Sequence, residues 1–408
     1  MRLLKWVLLG LGALVALVVL GVLVIVWLVD PNSFRSNIEA RVRDATGRDF
    51  TLAGDIELGF FPWLALRTGE GSFGNAPAFG SEPVVSWKRA QIGAKVFPLL
   101  RGELIADRVV LEGADLRLRR RADGTANWQG LGGDDSTSSG ADPNAKPLTP
   151  HIDGVQIKDS RVLFVDEGVP RRIEITGLNL TTGYIEVGKP FTDTRISGVL
   201  RMEGFAPEGV PFRVDVPKVA LPEDFAAVEM PEFTVAFGGF EAEGAVNGTL
   251  GDNPRIAGRI ETNEFDPRAL LTSVGVAPPK TSDAKAFGKV RFTGSWVLDS
   301  GAIGIDPFTL ALDDTHFKGS FHRSAGDNPV GEFSMQGDEL NISRYIPPTD
   351  PASEPFVLPT AMLKALMFRG SVELEHATLD DIDMKGVRLS LLLDEKGLRS
   401  VPKPAGTP

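Results

Sequence analysis

The side chains able to do proton or metal chemistry are few in this sequence. His151, His316, His322 and His376 are its only histidines, and it has no cysteine, which removes disulfide frameworks and thiolate metal or redox sites. The stretch "DTHFKGSFHR" puts Asp314, His316 and His322 on one face of an alternating segment. Asp314 and His316 are close enough to share a metal ion, whereas His322 needs a turn to reach it; satisfied strand residues are the plainer reading and no metal is assigned. Asp313 with Asp314, and Asp380, Asp381 and Asp383, have the spacing of carboxylates paired for acid–base work. They sit at "LDD" turns, however, where Asp accepts backbone hydrogen bonds.

Phosphate-binding motifs fare no better. "GEGSFG" at 69–74 matches G-x-G-x-x-G, but "NAPAFG" follows it, with Pro77 where a helix should present its N-terminus to a pyrophosphate. There is no Walker-type loop and no G-x-S-x-G elbow. A net charge of -11 argues against a nucleic-acid partner, which needs clustered Lys and Arg. The sequence therefore predicts no enzyme, no cofactor and no nucleic-acid ligand. With 24 Phe against 2 Tyr, its aromatic surface mostly lacks a polar handle, which suits an apolar environment and equally a fold that favours Phe.

The elements that must position these residues begin with an uncharged apolar run at 6–29, from Trp6 to Val29, whose 24 residues would reach roughly 36 Å as a helix. That exceeds a hydrocarbon core of about 30 Å. No small-residue cleavage site follows, so an uncleaved single-pass anchor is expected. Arg2 and Lys5 favour a cytoplasmic tip, Arg35, Arg41 and Arg43 weaken the asymmetry, and long domains translocate regardless; the body is placed outside the cytoplasm.

After Asp30 and Pro31, Phe34, Ile38 and Val42 fall four apart and Gly47 closes a short amphipathic helix. From Asp49 the period changes to two, as in Phe50, Leu52, Ile56 and Leu58, and such short runs continue to "VRLSLLL". Residues 132–150 are polar and small and read as a disordered linker. It divides an N-terminal β domain, 31–131, from a repetitive region, 151–393, with a tail at 394–408. Two later helices are predicted, "DPRALLTSVG" with Asp266 as cap, and "LPTAMLKALMFRG" ending at Gly370.

"GDNP" occurs at 251–254 and again at 326–329, and the register of 75 residues extends to Phe233 and Phe308, Gly244 and Gly319, Glu264 and Glu339. Each unit opens with a strand whose apolar positions are Phe233, Val235 and Phe237, or Phe308, Leu310 and Leu312. These six are the candidate groove-lining residues. Too few helices exist to cover the apolar side of so much sheet. The expected fold is mainly β, an elongated, repetitive antiparallel sheet folded over into an apolar groove; periodicity alone equally admits a packed array with no lumen.

At this point the chain resembles a known family. "DPNSFRSNIEARVRDATGRDFTLAGDIELGFFPWLALRTGEGSFGNAP", the "PLLRGEL" turn around Pro98 and "DGTANW" ending in Trp128 are similar to the N-terminal domain of AsmA-like proteins of Gram-negative bacteria. "NEFDPRALL", "FTLALDDTHFKGS" and "DELNISRYIPP" resemble the recurring middle segments of the same family. The resemblance implies a β-taco lined with apolar side chains, related to the bridge-like lipid-transfer group that includes TamB and YhdP. It implies inner-membrane anchoring, a periplasmic body, membrane lipids as partners, and a part in phospholipid traffic and outer-membrane assembly. It carries over no catalytic residue.

One departure is that such proteins continue well past the segment matching "VRLSLLLDEKGL", whereas here Pro402, Pro404 and Pro408 are expected to spoil a returning strand. An edge at 387–393 would be left open, from a shortened chain or for an envelope protein partner. The preferred function is passive lipid binding or conduction. The alternative is a scaffold or regulator of outer-membrane protein targeting, and an envelope enzyme built on Asp313 and Asp314 comes third.

Overall fold

A chain that alternates apolar and polar residues can bury one side of an extended strand, and the computed structural model puts that pattern into β1 to β24 with few helical segments. It describes residues 30–59, 63–95, 105–106, 108–129, 151–169, 171–186, 189–222, 226–251, 253–326, 329–347, 367–394 and 397–400. The expected anchor at 6–29, the linker at 132–150 and most of the second expected late helix, 358–366, lie outside these residues. Among the described residues no helix is long and apolar enough to cross a membrane. The chain divides into two compact units, Met1–Tyr184 and Ile185–Pro408.

The first unit opens with a 3-10 turn, Pro31–Phe34, capped by the Asp30 carboxylate, and helix α1, Arg35–Thr46, which ends at left-handed Gly47. No residue of α1 is buried, and Phe34 is half exposed. Polar side chains do the docking instead. Glu39 accepts the Leu52 amide at 2.8 Å, Arg35 donates to the Gly54 carbonyl at 2.9 Å, and the Asn32 side chain pairs with Ile56 as a neighbouring strand would, accepting its amide at 3.0 Å and donating to its carbonyl at 3.4 Å.

The strands that follow are β1 (Phe50–Leu52), β2 (Ile56–Gly59), β3 (Trp63–Thr68), β4 (Gly71–Phe73), β5 (Val85–Trp87), β6 (Arg89–Lys95), β7 (Ile105–Ala106), β8 (Val109–Glu112), β9 (Asp115–Arg120), β10 (His151–Ile152), β11 (Val155–Asp166) and β12 (Arg171–Thr181). They form two ribbons, β2–β3–β6–β8 and β1–β4–β5–β9. Strand β11 joins both, running parallel to β8 with its first half and to β9 with its second. Its register shifts around Ser160, whose buried hydroxyl accepts the Ala114 amide at 3.0 Å. Half of the "GEGSFG" match, Gly71–Phe73, is β4, paired on both sides by β1 and β5, so it presents no helix N-terminus.

The second unit continues with β13 (Phe191–Met202), β14 (Phe205–Val219), β15 (Ala227–Phe237), β16 (Phe240–Thr249), β17 (Arg255–Thr262), β18 (Val290–Asp299), β19 (Ala302–Leu312), β20 (Thr315–Arg323), β21 (Gly331–Asn341), β22 (Phe368–Leu379), β23 (Ile382–Asp394) and β24 (Gly397–Ser400). Strands β13 to β21 pair in chain order, each antiparallel to the last. Helix α2, Pro267–Ser273, interrupts them between β17 and β18, with Asp266 accepting the Arg268 and Ala269 amides as expected.

Three expectations need correction. The sheet is mixed, because β21 and β22 run parallel, as do β11 with β8 and β9 and β10 with β7. The pairs β21–β22 and β9–β11 are separated by long connections, which parallel neighbours require and which alternation within a strand does not reveal. Phe368, Arg369 and Gly370 open strand β22 and do not end a helix. Finally, β24 pairs with Leu391–Asp394, so a returning strand does form; the prolines lie beyond its paired residues and remove none of its amides.

Candidate functional site

Successive pairings in the second unit align side chains into rows across nine strands, β15 to β23. One row reads Phe233, Gly244, Ile260, Gly294, Phe308, Gly319, Met335, Val372 and Leu389. Shifting by one residue gives Thr234, Glu243, Glu261, Thr293, Thr309, Lys318, Gln336, Glu373 and Arg388 on the other face. No member of the first row is exposed, and seven of the second are. The next row on the apolar face runs Ile196, Val214, Val235 and Ala242 to Thr262, whose hydroxyl accepts the Phe292 amide at 2.8 Å, then continues through Leu310, Phe317, Gly337, Leu374 and Val387.

The structure thus places Phe233, Val235, Phe237, Phe308, Leu310 and Leu312 on one face, three in β15 and three in β19. Their surroundings differ. Phe308 is 7% exposed, with its ring 5.8 Å from Phe292, while Phe233, Val235 and Phe237 are half-buried. Phe237 stacks parallel on Phe205 at 6.3 Å and joins a cluster around Ala206, Val210, Val274 and Val276 beneath α2. Leu310 and Leu312 join a second cluster around buried Phe317, Val372, Leu374 and Ala377.

The repeat of 75 residues has a physical content beyond its turns. A Cβ on Gly244 would lie 2.2 Å from the Arg259 carbonyl oxygen and 2.7 Å from the Phe233 ring; a Cβ on Gly319 would lie 2.3 Å from the Ser334 carbonyl and 2.8 Å from the Phe308 ring. Each Phe covers the glycine opposite it, an arrangement only a missing side chain permits. Both repeats also carry a bulge just before this Phe, between Met230 and Phe233 and between Ile305 and Phe308. Pro231 and Pro307 occupy these bulges, where no ladder amide is required.

At the end of the meander that carries turns 238–239, 313–314 and 380–381, connections close over the strands. Asp313, at φ 52°, accepts the amides of Phe287, Gly288 and Lys289 at 2.9, 2.9 and 3.0 Å and the Tyr345 hydroxyl at 2.8 Å. Burial, and then the Asp313 carboxylate, push the Tyr345 phenol above its usual range. Arg344 bridges Asp283 at 2.8 Å and Asp314 at 2.9 Å. Asp283 is held below the usual carboxylate range by the Lys285 amide and then by Arg344. This latch was not foreseen: the "LDD" turn signalled an acceptor of backbone amides, but not that a segment 26 residues away supplies them.

The candidate chemistry residues do not converge. Asp314 is taken by Arg344, the His316 ring faces Asp338 at 3.0 Å, and His322 faces Asp306 at 3.8 Å. Burial raises the Asp338 carboxyl, but the His316 and Glu339 amides and the His316 ring outweigh it and hold it low. His376 lies 3.5 Å from Asp383, and Asp380 exchanges hydrogen bonds with Ser343. Among the described residues no three potential ligands gather as a metal would need. The polar face carries a shallow cleft of about 1070 Å³ across β18 to β23, lined by side chains such as Arg291, Thr309, Lys318 and Arg388.

Comparison with known sequences decides the kinship, since a model of the AsmA family matches residues 1–204. The chain belongs to the AsmA family. Protein AsmA of Escherichia coli (strain K12) is 21% identical over 349 residues, which is 83% of this chain and 48% of that protein. This AsmA-family chain therefore spans about half the length of that curated relative. No solved structure matches it. The family match ends at residue 204, in the turn between β13 and β14, so the rows on β15 to β23 lie beyond the matched residues and rest on their own geometry.

Proposed function

We propose that this AsmA-family chain is an inner-membrane-anchored periplasmic protein whose apolar sheet face binds or conducts phospholipid acyl chains, contributing to intermembrane lipid transport and outer-membrane assembly. The observation that carries this reading is the unbroken apolar row from Phe233 to Leu389, backed on the opposite face by a polar row. Acyl chains would lie along the first, at about 0.8 kcal/mol per buried methylene, while the second stays in water. Family membership supports an envelope role, and the apolar run at 6–29 supports the anchor. Transport would be passive, since the sequence carries no nucleotide-binding motif.

The test is mass spectrometry of lipids retained by the full chain after gentle purification, beside Val235→Asp with Leu310→Asp, which puts one carboxylate on the apolar face of each repeat. Lipid held by the parent and lost from a folded variant supports the reading. A parent that holds none, or a variant that holds as much, ends it.

A second reading, a scaffold or regulator of outer-membrane protein targeting, is favoured by one observation. Over β20 to β22 the apolar face is already covered, with Phe317 5% and Leu374 2% exposed and Ala377 fully buried, so that stretch has little left to offer a lipid. Activity that survives the double Asp variant would support it.

A further inference from the structure

A third row on the apolar face of the second unit lies at the strand ends away from the Asp313 latch. It runs Ile256, Leu298, Ile303, Arg323, Gly331 and Phe368 across β17 to β22. Strand β20 pairs with β21 without a register shift, so Arg323 keeps the side taken by Phe317 and Phe321. It is the one charge in this row, and Gly248 stands 75 residues earlier, so the backbone plan common to both repeats asks for no cation here. A guanidinium at the border of an apolar surface needs polar or anionic partners, and Arg323 has few. It is the last residue of β20, half-buried, and its Nε donates to the Pro329 carbonyl at 3.2 Å. Among the described residues no carboxylate pairs with it and nothing accepts from its terminal nitrogens. Its partner Ile303 is 37% exposed, which leaves apolar surface open beside the charge. Ile303, Leu298 and Ile256 carry that surface away from Arg323 over three strand spacings, about 14 Å in all.

We propose that Arg323 holds the phosphate of a phospholipid whose acyl chains lie along Ile303, Leu298 and Ile256. The planar guanidinium offers its free nitrogens to phosphate oxygens in pairs, and the chains gain by covering the open residues beside it. The site rests on the apolar-face reading of the proposed function and adds to it the place of the head and recognition of its phosphate.

The experiment offers the full chain in detergent an equimolar mixture of dioleoyl phosphatidylglycerol and dioleoylglycerol, which share acyl chains and differ in the phosphate-bearing head. Lipid retained after gentle purification is quantified by mass spectrometry. The parent should favour the phospholipid by about tenfold or more. Arg323→Gln and Arg323→Met, which lose the charge, should each lose most of that preference while holding as much dioleoylglycerol as the parent; Arg323→Lys should keep part of it. Unchanged thermal melting confirms that the variants fold. Inorganic phosphate in excess over lipid should leave the preference intact, and a preference that it erases would mark a free-anion site and overturn the headgroup assignment. A parent that retains both lipids alike, or uncharged variants that keep the full preference, overturn the Arg323 site and leave the apolar-face reading standing. A parent that retains neither lipid ends that reading and the site with it.

Discussion

Replacing Phe308 with Ala removes the ring that covers Gly319, and the size of the effect follows from how that ring is held. Phe308 is 7% exposed, so its truncation forfeits nearly a full aromatic burial and leaves a cavity, about 3–5 kcal/mol. Phe233 makes the equivalent contact over Gly244 but is only half-buried, so Phe233→Ala should cost roughly half as much, about 1.5–2.5 kcal/mol. Gly319→Ala attacks the same unit from the other side. Its new methyl would sit 2.3 Å from a backbone oxygen and 2.8 Å from the Phe308 ring, an overpacking of about 1–3 kcal/mol. With the ring gone half of that clash disappears, so the double variant should be less destabilised than the sum by at least about 0.5 kcal/mol. Hydrogen–deuterium exchange of β19 to β21 reads these differences directly, at about tenfold in rate per 1.4 kcal/mol of opening free energy. Phe308→Ala should speed exchange there by at least about a hundredfold, and more than Phe233→Ala does in β15 and β16. Equal effects in the two repeats, or strictly additive effects of Phe308→Ala and Gly319→Ala, would refute the idea that ring and glycine form one packed unit.

Asp313→Gly keeps the left-handed turn but removes the acceptor of three amides and the Tyr345 hydroxyl. It should loosen the α2–β18 connection by about 1.5–3 kcal/mol, seen as faster tryptic cleavage at Lys285 and Lys289. Asn32→Leu strips β2 of the side chain that mimics a neighbouring strand, and the Ile56 amide should then exchange at least about tenfold faster. The depressed Asp283 carboxyl contributes stability that is present above the unfolded value of about 3.9 and lost as pH falls through its folded value. Proteolysis of residues 276–289 should therefore be flat between about pH 5 and 8 and rise only below about pH 4, and a rise near neutrality would count against the Arg344–Asp283 latch.

Much of the second unit was legible because period two is a local property. Phe233, Val235 and Phe237 announce β15 and its apolar side without help from any other strand, and the 75-residue register carries the same statement to β19. Helix α2 was equally readable, since Asp266 and Pro267 act within their own turn. What alternation leaves out is partner choice. Nothing in "GEFSMQGDELN" or "FRGSVELEHATL" says that β21 and β22 lie parallel; only the long connection between them does, and it reads equally well as a loop inside an antiparallel sheet. The side chains that act at a distance were hidden for the same reason. Asn32 at β2, Arg48 at the Asn127 turn and Asp313 at the β18 connection each satisfy backbone groups brought near only by the fold.

The two repeats share a backbone plan yet differ in how far their apolar faces are closed, and this difference bears on function more than the repeat itself does. Ring, glycine, bulge and turn coincide at the 75-residue offset, so a common geometry is built twice. In the second copy, however, Phe308 is 7% exposed where Phe233 is half-buried, and Leu310 and Leu312, half-buried like Val235, pack on a buried cluster that the strands after them supply. An acyl chain gains most where apolar surface is aligned but not yet covered, so β15 to β18 are where lipid contact should concentrate. Photocrosslinkers placed at Val235 and at Leu310 separate the cases: capture at 235 exceeding that at 310 fits a lipid path opening over the first repeat, and equal or reversed capture does not.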